Sequence, residues 1–105
     1  MDFDKYQYEA TKTLLPSAAN LEYLVTGLAA EAGEVAGVYA KYIRDETKYS
    51  DLRDNLCKEM GDVLWFLAIL SEQLDIDLGA VAAINLQKLR DRQQRNKLKG
   101  SGDER

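Results

Sequence analysis

Apolar side chains recur along this chain at alternating intervals of four and three residues, the spacing that keeps one side of an α-helix dry. Leu24, Leu28, Val35, Val38 and Tyr42 form one such stripe; Leu52, Leu56, Val63, Phe66 and Leu70 form a second. An acid interrupts each stripe, Glu31 in the first and Glu59 in the second. The pattern predicts two long helices, over 21–45 and 52–74, joined by the polar turn Asp45-Glu46-Thr47-Lys48-Tyr49-Ser50. Asn20 is suited to cap the first, and Ser50 or Asp51 the second. A helix over 2–14 precedes them and ends near Pro16, which disfavours helical geometry at the residue before it. After the break Asp75-Ile76-Asp77, a fourth helix capped by Asp77 runs to about residue 95.

Two long helices with a short connection fold into an antiparallel hairpin. Both are apolar on more than one side. Leu21, Val25 and Tyr39 flank the first stripe, and Met60, Leu64, Trp65 and Ile69 flank the second. One chain of 105 residues can hardly cover so much apolar surface. The expected architecture is therefore all-α, a helical hairpin completed by oligomerisation into a four-helix-bundle core, as a homodimer or homotetramer. Residues 1–98 read as a single domain, and 99–105, with two glycines among polar residues, as a flexible tail.

The interrupting acids belong to pairs. Glu31 and Glu34 are three residues apart, as are Glu59 and Asp62, so each pair shares a helix face. Folding the hairpin brings the pairs opposite each other. Two unit charges about 4 Å apart repel by about 4 kcal/mol at an effective dielectric near 20. No equal number of Lys or Arg occupies the stripes, so the simplest missing partner is a divalent cation. Ordinary solvated helix acids are the competing explanation. They account for one such pair more readily than for two at matching depth. Gly33 and Gly61, each inside an acidic pair, imply either a close neighbour or simple helix packing.

Composition narrows the chemistry. The chain has no His, which excludes Ser-His-Asp and Cys-His catalysis and the Glu-x-x-His di-iron arrangement. Oxygen ligands alone suit Mg2+, with Mn2+ as a substitute. Cys57 is the sole cysteine, so no internal disulfide forms; it reads as packing filler, and the location expected is cytoplasmic. The opening Met1-Asp2-Phe3-Asp4-Lys5-Tyr6 is unlike a secretory signal, and no apolar run is long enough to cross a membrane. A net charge of −4 gives no reason to expect nucleic acid. On the fourth helix, Asn85, Lys88 and Arg92 share one face and suit phosphate oxygens, or else form a solvated basic helix end. Tyr6, Tyr23, Tyr42, Trp65 and Phe66 are candidates to stack a base, although aromatics at such spacing more often belong to a core.

Glu31-x-x-Glu34 followed by Glu59-x-x-Asp62 resembles the signature of MazG-like nucleoside triphosphate pyrophosphohydrolases. These belong to an all-α superfamily with dimeric dUTPases, dCTP pyrophosphatases and phosphoribosyl-ATP pyrophosphohydrolases. The segments Gly27-Leu28-Ala29-Ala30-Glu31-Ala32-Gly33-Glu34, Glu59-Met60-Gly61-Asp62-Val63-Leu64-Trp65 and Asn85-Leu86-Gln87-Lys88-Leu89-Arg90-Asp91-Arg92 fit as well, over about residues 20–95. The resemblance implies Mg-dependent cleavage of (d)NTP between the α and β phosphates, giving (d)NMP and pyrophosphate in nucleotide-pool house-cleaning. It makes Glu31, Glu34, Glu59 and Asp62 the metal ligands and catalytic acids, with Asn85, Lys88 and Arg92 near the substrate. The family signature often has Glu just before the first ligand, where this chain has Ala30. The alternatives are a non-catalytic oligomerisation module with a structural cation site, and a phosphoribosyl-ATP pyrophosphohydrolase.

Overall fold

The computed structural model describes residues 1–105 and is all-helical. Helix α1 spans Phe3–Thr11, α2 Leu21–Asp45, α3 Tyr49–Gln73 and α4 Leu78–Gln94, with one 3-10 turn at Pro16–Ala18. Asp2 caps α1 by accepting the Lys5 N–H at 2.8 Å. α1 stops short of the expected residue 14. The Thr11 and Thr13 hydroxyls donate to the carbonyls of Tyr8 and Ala10, and Leu15 is already extended ahead of Pro16. α2 keeps its expected bounds, with the Asn20 side chain accepting the Tyr23 N–H at 2.8 Å. It ends where Glu46 adopts φ 53°, and the tight turn lets α3 begin at Tyr49. Ser50 and Asp51 therefore lie inside the first turn of α3 instead of capping it.

α3 and α4 are joined by a closure that the sequence did not reveal. Asp75 adopts φ 57°, and the Ile76 N–H returns to the Ser71 carbonyl at 2.9 Å, which ties off the end of α3. Asp77 occupies the cap position of α4 but makes no side-chain capping bond. Gln7 of α1 takes that role. Its Oε1 accepts the Leu78 N–H at 2.7 Å, while Nε2 donates to Ile76 O at 3.0 Å, Glu72 Oε2 at 3.1 Å and Ala68 O at 3.4 Å. A buried amide with every bond satisfied thus pins α1 to the α3–α4 corner.

α2 and α3 pack along their length as the expected hairpin, α1 crosses α3, and α4 rests on α1 and α3. The core gathers at the α1 end: Ala10, Leu24, Phe66, Ala68, Ile69 and Leu78 are buried, with Tyr6, Leu14, Leu28, Leu64, Trp65 and Leu70 around them. The Trp65 indole N–H donates to Thr13 Oγ1 at 2.7 Å, and its ring meets Phe66 edge-on. Away from α1 the hairpin is thinly covered, and Val25, Tyr39, Met60 and Leu67 are exposed. Cys57 is exposed too, beside an apolar groove, and so is not core filler. The radius of gyration is 16.5 Å, against about 13 Å for a compact chain of this length. The accessible surface is 7985 Å², against about 5,900 Å² for a folded monomer of this mass.

Among the glycines, Gly27 is the one that sets the spacing of the hairpin. A Cβ there would lie 2.2 Å and 2.4 Å from the Phe66 ring, whereas Gly33 and Gly61 have nothing within 4 Å. Packing within the chain therefore explains Gly27 but not the glycines inside the acidic pairs. Gly27→Ala should lower stability by about 1–3 kcal/mol through overpacking. Gly33→Ala should cost nothing, or gain up to about 1 kcal/mol from helix propensity. Urea denaturation of the two variants checks the contrast.

Candidate metal centre

Halfway along the hairpin, α2 contributes Glu31 and α3 contributes Glu59 and Asp62 to one cluster. One carboxylate oxygen from each lies within 4.8 Å of the others. The register follows from the stripes. Leu24 and Phe66 anchor the pairing at the α1 end, and the acids follow it along their helices at three- and four-residue steps. Glu31 and Glu59 are half-buried and Asp62 is exposed. Glu34 lies one turn beyond Glu31, exposed and outside the trio, so three of the four predicted acids converge.

None of the three has a cation from the chain. The ion pairs lie elsewhere, at Lys12–Glu9, Arg44–Asp45, Lys88–Asp103, Arg92–Asp103 and Arg95–Asp91. The uncompensated charge shows in Glu31, whose carboxyl is pushed above its ordinary range by desolvation and then by the charges of Asp62, Glu59 and Glu34. α1 adds Tyr6, whose phenol is pushed up by burial and by the charge of Asp62. Tyr6 stood out in the sequence only as a stacking candidate, and nothing local to α1 tied it to the acids.

The donor set suits a hard divalent ion. All the donors are carboxylate oxygens, and ligands on opposite sides of Mg2+ stand about 4.2 Å apart, so small side-chain adjustments within the 4.8 Å cluster would seat the ion. With few protein ligands, open positions remain for water and phosphate oxygens. Two clefts border the acids. One, lined by Glu31, Gly27, Tyr23, Thr26 and Phe66, has an aromatic wall, the Tyr23 and Phe66 rings being 5.8 Å apart. The other runs from Glu59 toward the α2–α3 turn past Asn55, Lys41 and Lys58. Neither lysine was singled out from the sequence, where the one hint was Lys58 standing directly before Glu59.

Asn85, Lys88 and Arg92 lie on α4, and none of them lines either cleft. Lys88 and Arg92 instead bind Asp103, as the tail folds back against α4. Of the candidate stacking aromatics, Tyr23 and Phe66 border Glu31's cleft and Tyr42 borders Glu59's, while Tyr6 and Trp65 pack against the core. No helix is long and apolar enough to cross a membrane.

The model of the MazG nucleotide pyrophosphohydrolase domain matches residues 19–96, a span that holds all seven predicted site residues. The chain belongs to this family, whose members are generally nucleotide pyrophosphohydrolases. It is also 40% identical over 114 residues to the Gene 37 protein of Mycobacterium phage L5, with all of both chains covered. That name states no activity. No solved structure matches the chain.

The trio makes a signed prediction for stability. Glu31 holds its proton more tightly in the fold than in the unfolded chain, so the metal-free protein should lose stability as pH rises above about 4.5 through the folded pKa. Asp45 and Asp103, held down by Arg44 and by Lys88 with Arg92, act oppositely, and their contribution is lost as pH falls below 3.8. At pH 7.5, Mg2+ at one hundred times its Kd should add about 2.7 kcal/mol. Glu31→Gln should raise the metal-free melting temperature and remove most of the Mg2+ response. Thermal melts in chelator and in Mg2+ read both effects.

Proposed function

We propose that the chain is a Mg-dependent nucleoside triphosphate pyrophosphohydrolase that cleaves (d)NTP to (d)NMP and pyrophosphate. The observation that carries this is the convergence of three carboxylates from two helices, none of them ion-paired with a Lys or Arg of the chain. Family membership and the two flanking clefts support it. When bound, the metal would offset the charge of the phosphate oxygens and increase the acidity of water. Glu31, Glu59 and Asp62 are its proposed ligands. Glu34, outside the trio but near enough for its charge to reach Glu31, is free to accept a proton from the attacking water. The water oxygen bonds to the α-phosphorus, the bond from that phosphorus to the bridging oxygen breaks, and pyrophosphate leaves. The aromatic cleft at Tyr23 and Phe66 suits the base, and the lysine-bearing cleft suits the phosphates.

The assembly forms part of the proposal. Ala32, Val35, Cys57, Met60, Val63, Leu64 and Leu67 line an apolar groove of about 620 Å³ along the hairpin. The surface excess of about 2,000 Å² over a compact monomer matches what each partner gives up in a large obligate interface. A second hairpin laid on this face would complete a four-helix core. Asn85, Lys88 and Arg92, which line neither cleft of their own chain, would then serve the site of another copy.

Pyrophosphate release measured over a panel of (d)NTPs with Mg2+ tests the activity. Glu59→Gln should reduce turnover by at least about 10²-fold, and Glu34→Gln should lower kcat by about 10²-fold while sparing the Mg2+ response in melting. Turnover that survives in Glu31→Gln, Glu34→Gln, Glu59→Gln and Asp62→Asn alike would refute the site. Phosphoribosyl-ATP belongs in the same panel, since its selective hydrolysis would reassign the substrate. For the assembly, Met60→Lys should shift sedimentation from an oligomer to a monomer, because it buries an unpaired charge in the apolar face. A wild-type monomer would refute the interface.

A further inference from the structure

Along α2 the order is cleft, acid, cleft. The first cleft lies between Glu22 and Ala30 with Phe66 opposite, Glu31 stands at its end, and the second begins at Val38 and runs to Glu59. The two differ in charge. The second sets Lys41 and Lys58 against Asp45 and Glu59, whereas the first has no Lys or Arg and holds the carboxylates of Glu22 and Glu31. The β and γ phosphates of a triphosphate are repelled by the first and find cations in the second. With the α-phosphate at the trio, the nucleoside then points into the first cleft, whose volume of about 520 Å³ can hold it.

That cleft has one prepared ring face. Phe66 is buried, and Gly27 lets its ring lie against α2. Tyr23 leans on Phe66 at 5.8 Å with the rings tilted by 36°, yet is itself 48% exposed. A base stacks on such a held aromatic ring whatever its identity. Two polar side chains beside Tyr23 have no partner in the chain. Glu22 joins none of the ion pairs. The hydroxyls of Thr11 and Thr13 donate to carbonyls three residues back, whereas that of Thr26 makes no such bond. Glu22 precedes Glu31 by nine residues, about 13.5 Å along the helix axis at about 1.5 Å per residue. A phosphate at the trio thus occupies one end of the cleft, and the outer edge of the stacked base reaches toward Glu22 at the other.

We propose that Glu22 reads the base and that the base it reads is guanine. This rests on the hydrolase reading and adds the substrate to it. A carboxylate only accepts hydrogen bonds, through two oxygens side by side. Guanine presents two adjacent donors on its Watson–Crick edge, N1–H and the 2-amino group, which pair with both oxygens at once, as the fork of an arginine does. Adenine and cytosine present one amino group beside a ring nitrogen acceptor, which faces the second oxygen and is repelled. Thymine and uracil present one N–H between two carbonyl oxygens. The Thr26 hydroxyl can donate to the guanine acceptors O6 or N7.

The full chain is assayed for pyrophosphate release with Mg2+ on dGTP, dITP, dATP, dCTP and dTTP. The kcat/KM for dGTP should exceed that for dITP, which lacks only the 2-amino group, by about tenfold or more, the worth of one charge-assisted hydrogen bond. The other three should fall at least as far below dGTP. Glu22→Gln should lower the dGTP-to-dATP ratio at least about tenfold, because an amide sets one donor beside one acceptor, which matches adenine. Calorimetric titration with dGMP and dIMP in Mg2+ reads the cleft without turnover, and dGMP should bind about tenfold tighter. Equal kcat/KM for dGTP and dITP overturns the guanine reading alone. A Glu22→Gln variant that loses activity equally on every base, with a lowered melting temperature and unmoved ratios, overturns it too, in favour of a structural acid at the start of α2. Selective dGMP binding without turnover sinks the hydrolase reading alone, and no turnover with equal binding of dGMP and dIMP sinks both.

Discussion

Like charge gathered on the inner side of a helical hairpin is the constraint around which this molecule is arranged. Glu31 faces Glu59 and Asp62 across the α2–α3 seam, and no Lys or Arg of the chain neutralises them. Ordinary packing would place leucine there, since the stripes continue as Leu28, Val35, Leu56 and Val63 on either side. The chain accepts electrostatic cost at the centre of its main helix pair, and Glu31 registers it as a carboxyl pushed toward its protonated form. Strain of this kind at a cleft is a mark of function when the geometry also fits a ligand. Here three hard oxygen donors within 4.8 Å fit a divalent cation.

Such a cluster requires the two helices to be held in register, and the devices that hold them lie outside it. Gly27 lets the Phe66 ring sit against the α2 backbone. Leu24 and Ile69 are completely enclosed nearby. Gln7 fastens α1 to the corner after α3, so that α1 lies over the end of the hairpin and brings Tyr6 beside Asp62. The well-packed end thus fixes the position of the charged middle. The side of the hairpin turned away from α1 lacks a third helix, and its apolar face stays open beside Met60 and Leu67. A rigid anchor, a charged centre and an open apolar flank are the surroundings onto which the proposed second hairpin would pack.

α4 shows that two residues on one helix face can end in different surroundings. Lys88 and Arg92 stand four residues apart on α4 and both pair with Asp103, yet Arg92 is buried while Lys88 keeps a partly open ammonium. Spacing on a helix says which residues share a face. It does not say which of them the rest of the chain will cover.

Periodicity alone determined the four helices, the hairpin and the placing of Glu31 opposite Glu59 and Asp62, because burying a stripe on a 3.6-residue helix leaves few arrangements. The absence of His and the single Cys limited the donors to oxygen. The two ends of α2 were legible for local reasons, an Asn side chain that caps the first turn and a polar connection that stops the last. Where partners come from distant segments, sequence reasoning had nothing to read. The cap of α4 came from Gln7 and not from Asp77. Glu34 fell outside the trio, Tyr6 arrived beside it, and Lys41 and Lys58 came to border one cleft. A local pattern fixes which face a side chain takes, because the helix repeat is intrinsic to the backbone. Which atoms meet across helices depends on crossing, register and the chain's return over itself, and only the folded structure sets those.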